Sequence, residues 1–231
     1  MTLRRPEWAS PAAATGNGRK RFGEGMLRSG AETASILDDG FKVFPGLLAA
    51  FIHDIGSEFD RVMAAWRPTD LTDRFQVRRF LQLDSRFDGG DWLPIVAGAI
   101  QDEIGAPVSL LASEGSLLRG DTTWHRDGST APGLLFKANL YLDATRSESG
   151  ALHVISGSHR SAAPAELARS EIAVMPSSPG DVCVFDMAAI HGAPGGDRTR
   201  RVLNLIFSRS PRGQEDQAAI RDYVMAANAV L

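Results

Sequence analysis

The stretch Thr122–Gly128 reads Thr-Thr-Trp-His-Arg-Asp-Gly and places a histidine and an aspartate two residues apart. Alternate side chains of an extended segment point to the same side, so His125 and Asp127 can converge on one small target. An imidazole and a carboxylate together suit Fe(II), Mn(II) or Zn(II), and His191, which follows an apolar segment, is the best candidate for a third ligand. By itself a His-x-Asp pair more often forms a structural hydrogen bond, so this interpretation depends on the features that follow it in the chain.

Length and composition are those of an ordinary globular protein. The 231 residues suffice for one sizeable domain, and 43% of them are hydrophobic and 23% charged. A net charge of −3 gives no reason to expect a nucleic-acid partner. Cys183 is the only cysteine, which excludes an intrachain disulfide and fits a reducing compartment. No apolar run reaches the roughly 18 residues of a transmembrane helix and no secretory signal is recognisable, so we expect a cytoplasmic protein without a membrane partner.

The first 30 residues differ from the remainder in charge and composition. They contain six basic and two acidic residues separated by Ala, Gly, Ser and Pro, whereas the rest of the chain holds 19 basic and 26 acidic residues. We expect residues 1–35 to form a basic arm that is either poorly packed or folded as a flap over a pocket. Residues 36–231 are then expected to form a single domain.

Periodicity predicts two helices, then a β-rich region, then a last helix. Apolar residues recur at helical spacing over about 46–66 and 91–104, where Pro45 and Gly105 suit the start of the first helix and the end of the second. Extended segments are expected at 41–44, 75–83, 107–119, 134–143, 151–156, 171–175, 181–186 and 200–209, and the last helix at 214–230. Short strands between turn residues favour a sandwich, barrel or jelly roll, so the fold class is mainly β with flanking helices, or α+β.

Four features follow one another within the β-rich region: the His125-x-Asp127 pair, the run Ser149–Arg160, His191 and the pair Arg200-Arg201. The run reads Ser-Gly-Ala-Leu-His-Val-Ile-Ser-Gly-Ser-His-Arg and is the most distinctive of the four. In this order they resemble the phytanoyl-CoA dioxygenase family of Fe(II)/2-oxoglutarate oxygenases, over about residues 36–210. The resemblance implies a double-stranded β-helix, a cupin-like jelly roll of two sheets with the metal near one mouth.

The resemblance also implies a metal site and a reaction. Its metal ligands correspond to His125, Asp127 and His191, which bind Fe(II) and leave three coordination positions for 2-oxoglutarate and O2. The implied activity is oxidation of a small organic molecule, with formation of succinate and CO2. Related halogenases carry a small residue in place of the carboxylate, so Asp127 favours hydroxylation or another oxidation over halogenation.

A basic residue is implied for the distal carboxylate of 2-oxoglutarate, and Arg200 or Arg201 stands where the family carries one. Along the strand, Arg200 shares a face with Asn204, whereas the face of Arg201 is otherwise apolar. A buried asparagine needs a polar partner, which a pocket for a dicarboxylate would supply. We therefore assign the carboxylate to Arg200, with Arg201 as the alternative, since a bulge near Gly195 would reverse the parity.

Further candidates lie on neighbouring segments. Lys137 and Asn139 share the polar face of 136–143, which looks into the barrel if the apolar face packs against the helices and into solvent if it does not. In the first arrangement both are candidates for binding the keto acid or the substrate. Glu114, Ser116 and Trp124 are candidates for substrate contact.

Two other interpretations stay open at the level of sequence. The first is a cupin-like metalloenzyme that uses no keto acid, which the pair Arg200-Arg201 and the run Ser149–Arg160 oppose. The second is a non-catalytic jelly-roll protein that binds 2-oxoglutarate or a sugar, which the intact His-Asp-His set opposes. A small molecule is the expected partner, and the oligomeric state has no signature in the sequence.

Overall fold

The structure is a computed structural model and describes residues 32–66, 74–83, 89–127, 131–161, 171–196 and 198–228. The expected N-terminal arm lies almost wholly outside the described residues. The helices and strands of the described part are, in chain order, β1 (Phe41–Phe44), α1 (Ile52–Trp66), β2 (Arg74–Arg78), α2 (Trp92–Ile104), β3 (Val108–Leu118), β4 (Thr122–His125), β5 (Leu135–Tyr141), β6 (Leu152–Ile155), β7 (Ile172–Met175), β8 (Val182–Asp186), β9 (His191–Ala193), β10 (Arg200–Arg209) and α3 (Gln214–Asn228). None of the described helices is long and apolar enough to cross a membrane.

The strands form two antiparallel sheets that pack face to face. The major sheet has the order β1-β8-β5-β10-β3-β2 and the minor sheet the order β4-β9-β6-β7. Between them lies an apolar cluster to which Tyr141, Phe185 and Val202 contribute from the major sheet, and Leu152 and Val154 from the minor sheet. The expectation of a mainly β fold with flanking helices is confirmed.

The outer face of the major sheet packs against α1 and α2. Leu203, Leu205 and Phe207 alternate along β10 and join the same buried cluster as Phe59 of α1 and Ile100 of α2. Burial of apolar surface here is the main source of stability for the domain. Because alternate residues of a strand point to opposite faces, Asn204, which lies between Leu203 and Leu205, points towards the minor sheet.

The first helix begins later than its apolar periodicity predicts. Residues 46–51 form turns, and α1 begins at Ile52. Gly46 has a φ of +61° and donates its N–H to Asp181 Oδ1 at 2.7 Å, while the Leu48 N–H donates to the Gly180 carbonyl at 2.9 Å. These contacts with the turn before β8 fix the segment outside helical geometry, which a local pattern cannot reveal.

The strand expected at 75–83 is also shorter than predicted. It ends at Arg78, and Arg79 adopts the left-handed region with a φ of 56° before a short 3-10 helix at Phe80–Gln82. The Phe80 ring is fully buried, lies 5.1 Å from the Phe59 ring and occupies space that a side chain at Gly115 would need. Burial of this aromatic ring therefore outweighs continued strand pairing.

Candidate metal centre

The predicted metal ligands meet where β4 and β9 pair. His125 ends β4 directly opposite His191, which begins β9, and Asp127 follows two residues after His125. Nε2 of His125 lies 3.2 Å and Nε2 of His191 3.7 Å from the same atom, Asp127 Oδ1. One donor atom from each residue lies within 4.8 Å of the others, which is close enough for one ion to bind all three.

Both imidazoles are oriented by backbone carbonyls. Nδ1 of His125 donates to the Thr123 carbonyl at 2.7 Å, and Nδ1 of His191 donates to the Ala189 carbonyl at 3.1 Å. Nε2 of each ring then faces Asp127 and is the nitrogen that would bind a metal ion. Metal-bound histidines in proteins usually have their second nitrogen fixed in this way.

Lys137 binds the other oxygen of the central carboxylate. Its Nζ lies 2.9 Å from Asp127 Oδ2, and the two side chains are largely buried. Oδ2 is thus engaged while Oδ1 faces the two imidazoles. The carboxylate is arranged to supply one oxygen to a metal rather than two, which leaves more coordination positions open.

The charge states of Asp127 and His191 suit the binding of a cation. Burial raises the pKa of Asp127, but the charge of Lys137 and the hydrogen bond from His125 outweigh it, so that pKa lies well below its usual range. Burial lowers the pKa of His191 to about 4, so its imidazole is neutral at pH 7. The pKa of His125, which is more exposed, is raised by its hydrogen bond to Asp127.

Polar side chains continue across the inner face of the major sheet. Glu114 Oε1 accepts hydrogen bonds from Gln76 Nε2 at 2.6 Å, Ser116 Oγ at 3.0 Å and Asn204 Nδ2 at 3.0 Å. Asn139 lies opposite Asn204 in the β5–β10 pair and is buried. The predicted residues Lys137, Asn139, Glu114 and Ser116 therefore share one inner surface with the metal ligands.

Arg200 is the buried cation at the far end of this surface. Its side chain donates to the carbonyls of Gly120 at 3.1 Å and Gly195 at 3.4 Å, and a side chain at Gly150 or Gly196 would collide with it. In the part of the chain that the structure describes, its Nε is buried and without a hydrogen-bond partner. Among the described residues its hydrogen bonds go only to carbonyls, so this buried guanidinium can bind an anionic ligand.

Arg201 has the opposite environment. Its guanidinium pairs with Asp143 at 2.8 Å and with Asp60 of α1 at 2.7 Å, on the outer side of the sheet. The β10–β3 register runs without a shift from Arg200 to Ile206, so the two arginines keep the opposite faces that alternation assigns to them. Arg201 is thus satisfied by two carboxylates of the protein itself.

Trp124 does not reach the metal centre. It points away from His125 and lies on the outer face of the minor sheet, against Gly192 and 6.3 Å from the His153 ring. Alternation along the strand opposes a role at the same site as His125, so the structure does not bring the candidate Trp124 to the substrate side.

The inner surface includes two residues that the sequence alone did not indicate. Gln76, from β2, hydrogen-bonds Glu114. Tyr223, from α3, lies near enough to Lys137, Asp127 and Glu114 for their charges to act on its hydroxyl, although burial is the main cause of its raised pKa. The distance of β2 and α3 along the chain from Asp127 left no local signal for either contact.

Comparison with known proteins decides the family. A model of the phytanoyl-CoA dioxygenase (PhyH) family matches residues 37–202, which include all three candidate ligands and Arg200. The chain belongs to the phytanoyl-CoA dioxygenase family. A comparison with curated protein sequences found no match.

Solved structures give the same fold for this phytanoyl-CoA dioxygenase family member. SnoN, a non-haem α-ketoglutarate-dependent epimerase from nogalamycin biosynthesis, is 20% identical with a TM-score of 0.66 over 77% of this chain and 81% of its own. SnoK, a non-haem α-ketoglutarate-dependent carbocyclase of the same biosynthesis, is 17% identical with a TM-score of 0.65 over 80% and 85%. EvdO2 from Micromonospora carbonacea var. aurantiaca, complexed with 2-oxoglutarate, is 16% identical with a TM-score of 0.62 over 82% and 94%. The predicted double-stranded β-helix is confirmed.

Proposed function

We propose that the protein is an Fe(II)- and 2-oxoglutarate-dependent dioxygenase that hydroxylates, or otherwise oxidises, a small polar molecule. The observation that carries this proposal is the convergence of His125 Nε2, His191 Nε2 and Asp127 Oδ1 within 4.8 Å, in a member of the phytanoyl-CoA dioxygenase family. Two of the similar structures, SnoN and EvdO2, are described in complex with α-ketoglutarate or 2-oxoglutarate, and that of SnoN also holds iron.

The residues fit both groups. Two imidazole nitrogens and one carboxylate oxygen form a set typical of non-haem Fe(II) sites, and Asp127 is kept ionised by Lys137. At the other end of the inner surface, the buried Nε of Arg200 has no partner among the described residues, as expected of a guanidinium that binds a carboxylate of a ligand. Bound Fe(II) and 2-oxoglutarate supply an oxygen-dependent oxidation of a C–H bond, in which the keto acid becomes succinate and CO2.

Each residue then has a role that follows from its contacts. His125, Asp127 and His191 hold the metal, and Arg200 binds the distal carboxylate of 2-oxoglutarate. Lys137 keeps Asp127 Oδ2 occupied, and its ammonium has further donors for the keto acid or the substrate. Asn139, whose Oδ1 is buried and unpartnered among the described residues, can accept a hydrogen bond from a bound molecule.

The same inner surface favours a polar substrate. Glu114 Oε1 is fully engaged by three donors, whereas no described residue donates to its second oxygen. That oxygen, together with the hydroxyl of Tyr223, is suited to contact hydroxyl or amine groups, whereas the Ser116 hydroxyl is already bonded to Glu114, Gln76 and Asn204. An acyl chain would leave these polar groups unpaired at a cost of about 1–3 kcal/mol each.

Turnover of 2-oxoglutarate tests the proposal. With Fe(II), ascorbate and a panel of small hydroxylated and amino compounds, we expect O2 uptake matched by succinate release, and a product with one added oxygen in mass spectrometry. Added chloride should yield no chlorinated product, because Asp127 occupies the coordination position that a halide would need. Metal-dependent conversion without succinate would favour a cupin-like enzyme that uses no keto acid, and binding of 2-oxoglutarate without turnover would favour a binding protein.

A further inference from the structure

Three successive carbonyls between β8 and β9 contact the segments that carry the candidate ligands. The Met187 carbonyl accepts the backbone N–H of Asp127 at 3.2 Å, and the Ala189 carbonyl accepts Nδ1 of His191 at 3.1 Å. Between them, the Ala188 carbonyl accepts a hydrogen bond from the guanidinium of Arg126. The turn 187–190 therefore touches both the His125-x-Asp127 segment and the distal histidine.

This turn is itself fixed by a buried carboxylate. Asp186 is fully buried, and its Oδ1 accepts the Ala188 N–H at 2.8 Å while its Oδ2 accepts the Gly133 N–H at 2.5 Å. The Ala189 N–H donates to the Asp186 carbonyl at 2.8 Å, and the Ile190 N–H donates to Ser158 Oγ at 2.8 Å. These hydrogen bonds hold the turn 187–190 in one conformation, so the turn can fix the position of the candidate ligands that contact it.

Arg126 connects the turn 187–190 to the segment that carries His125 and Asp127. As the residue between His125 and Asp127, it points away from the metal side. One arm of its guanidinium donates to the Ala188 carbonyl and the other to the Ser161 carbonyl at 2.8 Å. The planar fork of arginine binds two separate carbonyls with a fixed relative geometry, which the flexible ammonium of a lysine would not impose.

We infer that Arg126 is a positioning residue, which sets the separation between the His125–Asp127 pair and His191 by binding both the turn 187–190 and Ser161. The inference rests on the proposed function, because it assumes that the three residues bind a metal. Metal–ligand distances tolerate deviations of only a few tenths of an ångström, so groups that orient the ligands affect metal affinity strongly.

Because Arg126 is charged, its electrostatic effect and its positioning effect should change metal affinity in opposite directions. A guanidinium near a cation site repels the ion, so loss of the charge alone should strengthen metal binding. Loss of a positioning contact should weaken it. Arg126→Ala removes both charge and contacts, whereas Arg126→Lys retains the charge but not the planar group that fixes the two contacts.

The experiment is titration of metal-stripped full-length protein with Co(II), followed by its visible absorption, which reports coordination geometry. We expect Arg126→Ala to bind Co(II) about 10–100-fold more weakly than wild type with an altered spectrum, and Arg126→Lys to lie between them. Arg201→Ala is the matched control, since it removes an arginine with two carboxylate partners on the outer side of the sheet. Its Co(II) affinity and spectrum should be those of wild type.

The outcomes separate the positioning role from the metal centre itself. Unchanged or tighter Co(II) binding by Arg126→Ala, with an unchanged spectrum, overturns the inference even if the variant melts at a lower temperature. If Arg126→Ala does not fold, the neutral variant Arg126→Gln takes its place with the same expected direction. If wild-type protein binds no Co(II), or binds it equally well after His191→Ala, the proposed metal centre is rejected and this inference with it.

Discussion

The two faces of the major sheet are made by alternate residues of the same strands, yet they differ in almost every physical respect. On the outer face of β10, Leu205 and Phe207 are buried against α1 and α2 in a wholly apolar cluster. On the inner face, Asn204 and Arg200 are equally buried but contact polar atoms. Burial of apolar area on the outer face stabilises the fold. Burial of polar and charged groups on the inner face lowers the free energy of unfolding.

This difference implies that substitutions on the two faces should affect different measurements. Truncation of an outer residue should lower the free energy of unfolding and spare the site. Truncation of an inner residue should impair binding or turnover and spare the fold. Four predictions test whether the two faces are independent, and they follow in order of decreasing effect.

The largest effect is expected for the metal ligands. His125→Ala and His191→Ala each remove one of three donors, so both should lose bound iron and reduce succinate formation to the level of metal-free protein. The fold should persist, because the β4–β9 strands pair through backbone groups, although His191→Ala should also lower the free energy of unfolding, since its buried ring lies 4.4 Å from that of Phe185. Metal analysis, succinate release and circular dichroism measure the three properties, and near-normal turnover in either variant would contradict the assignment.

The second effect concerns the outer face. Phe207→Ala leaves a cavity in the cluster under α1 and α2 and should lower the free energy of unfolding by about 3–5 kcal/mol. Met225→Ala is the matched control, since Met225 is 70% exposed on α3 and its loss should change stability by no more than about 0.5 kcal/mol. Urea unfolding measures both, and Co(II) affinity of the folded Phe207→Ala protein should equal that of wild type. A large loss of metal affinity would mean that the faces are not independent.

Alternation along the strands explains how much of this arrangement the sequence predicts. The period of two assigns Phe207 to the outer face and Asn204 to the inner one, and the spacing of His125 and Asp127 directs both to one target. The same pattern left the facing of Lys137 open, because only contact with α1 and α2, which are distant in sequence, determines which side of β5 is covered.

Features that depend on tertiary contacts were not predictable. Residues 46–51 have apolar residues at helical spacing, but bonds from Gly46 and Leu48 to residues 180 and 181 prevent a helix. Arg126 contacts Ala188 and Ser161, more than 30 residues away, and no local pattern distinguishes it from an exposed arginine. Local periodicity thus gives the faces and most elements, while element ends and groups around the ligands require the folded chain.

The third effect compares two adjacent residues on opposite faces. Arg200→Gln should raise the apparent KM for 2-oxoglutarate roughly thirtyfold or more, because loss of a charge-assisted contact costs on the order of 2 kcal/mol. Arg201→Gln should leave this KM nearly unchanged, since its partners are Asp143 and Asp60 of the protein. Initial-rate kinetics at saturating substrate measure both variants. A large defect in Arg201→Gln together with a small one in Arg200→Gln would reverse the assignment of the keto-acid carboxylate.

The smallest effect concerns the ion pair of Arg201 on the outer side. Burial raises the pKa of Asp143, but hydrogen bonds from the side chain and backbone of Arg201 outweigh it, so the pKa lies below its ordinary value of 3.8. A carboxyl with a lowered pKa in the folded state contributes stability above its unfolded-state pKa and loses that contribution as the pH falls through the folded-state value. The difference in melting temperature between wild type and Asp143→Asn should therefore be constant near neutral pH and shrink below about pH 4.

The partner variant determines whether this pH dependence belongs to the pair. Both side chains are about one-third exposed, and such pairs contribute no more than about 1 kcal/mol, so the shift should be small. In an Arg201→Gln background, Asp143→Asn should change the acid limb of the melting curve less than it does in wild type, because the guanidinium is gone and only the backbone N–H of residue 201 still lowers the pKa of Asp143. An equal change in both backgrounds would mean that Asp143 acts through contacts other than the side chain of Arg201.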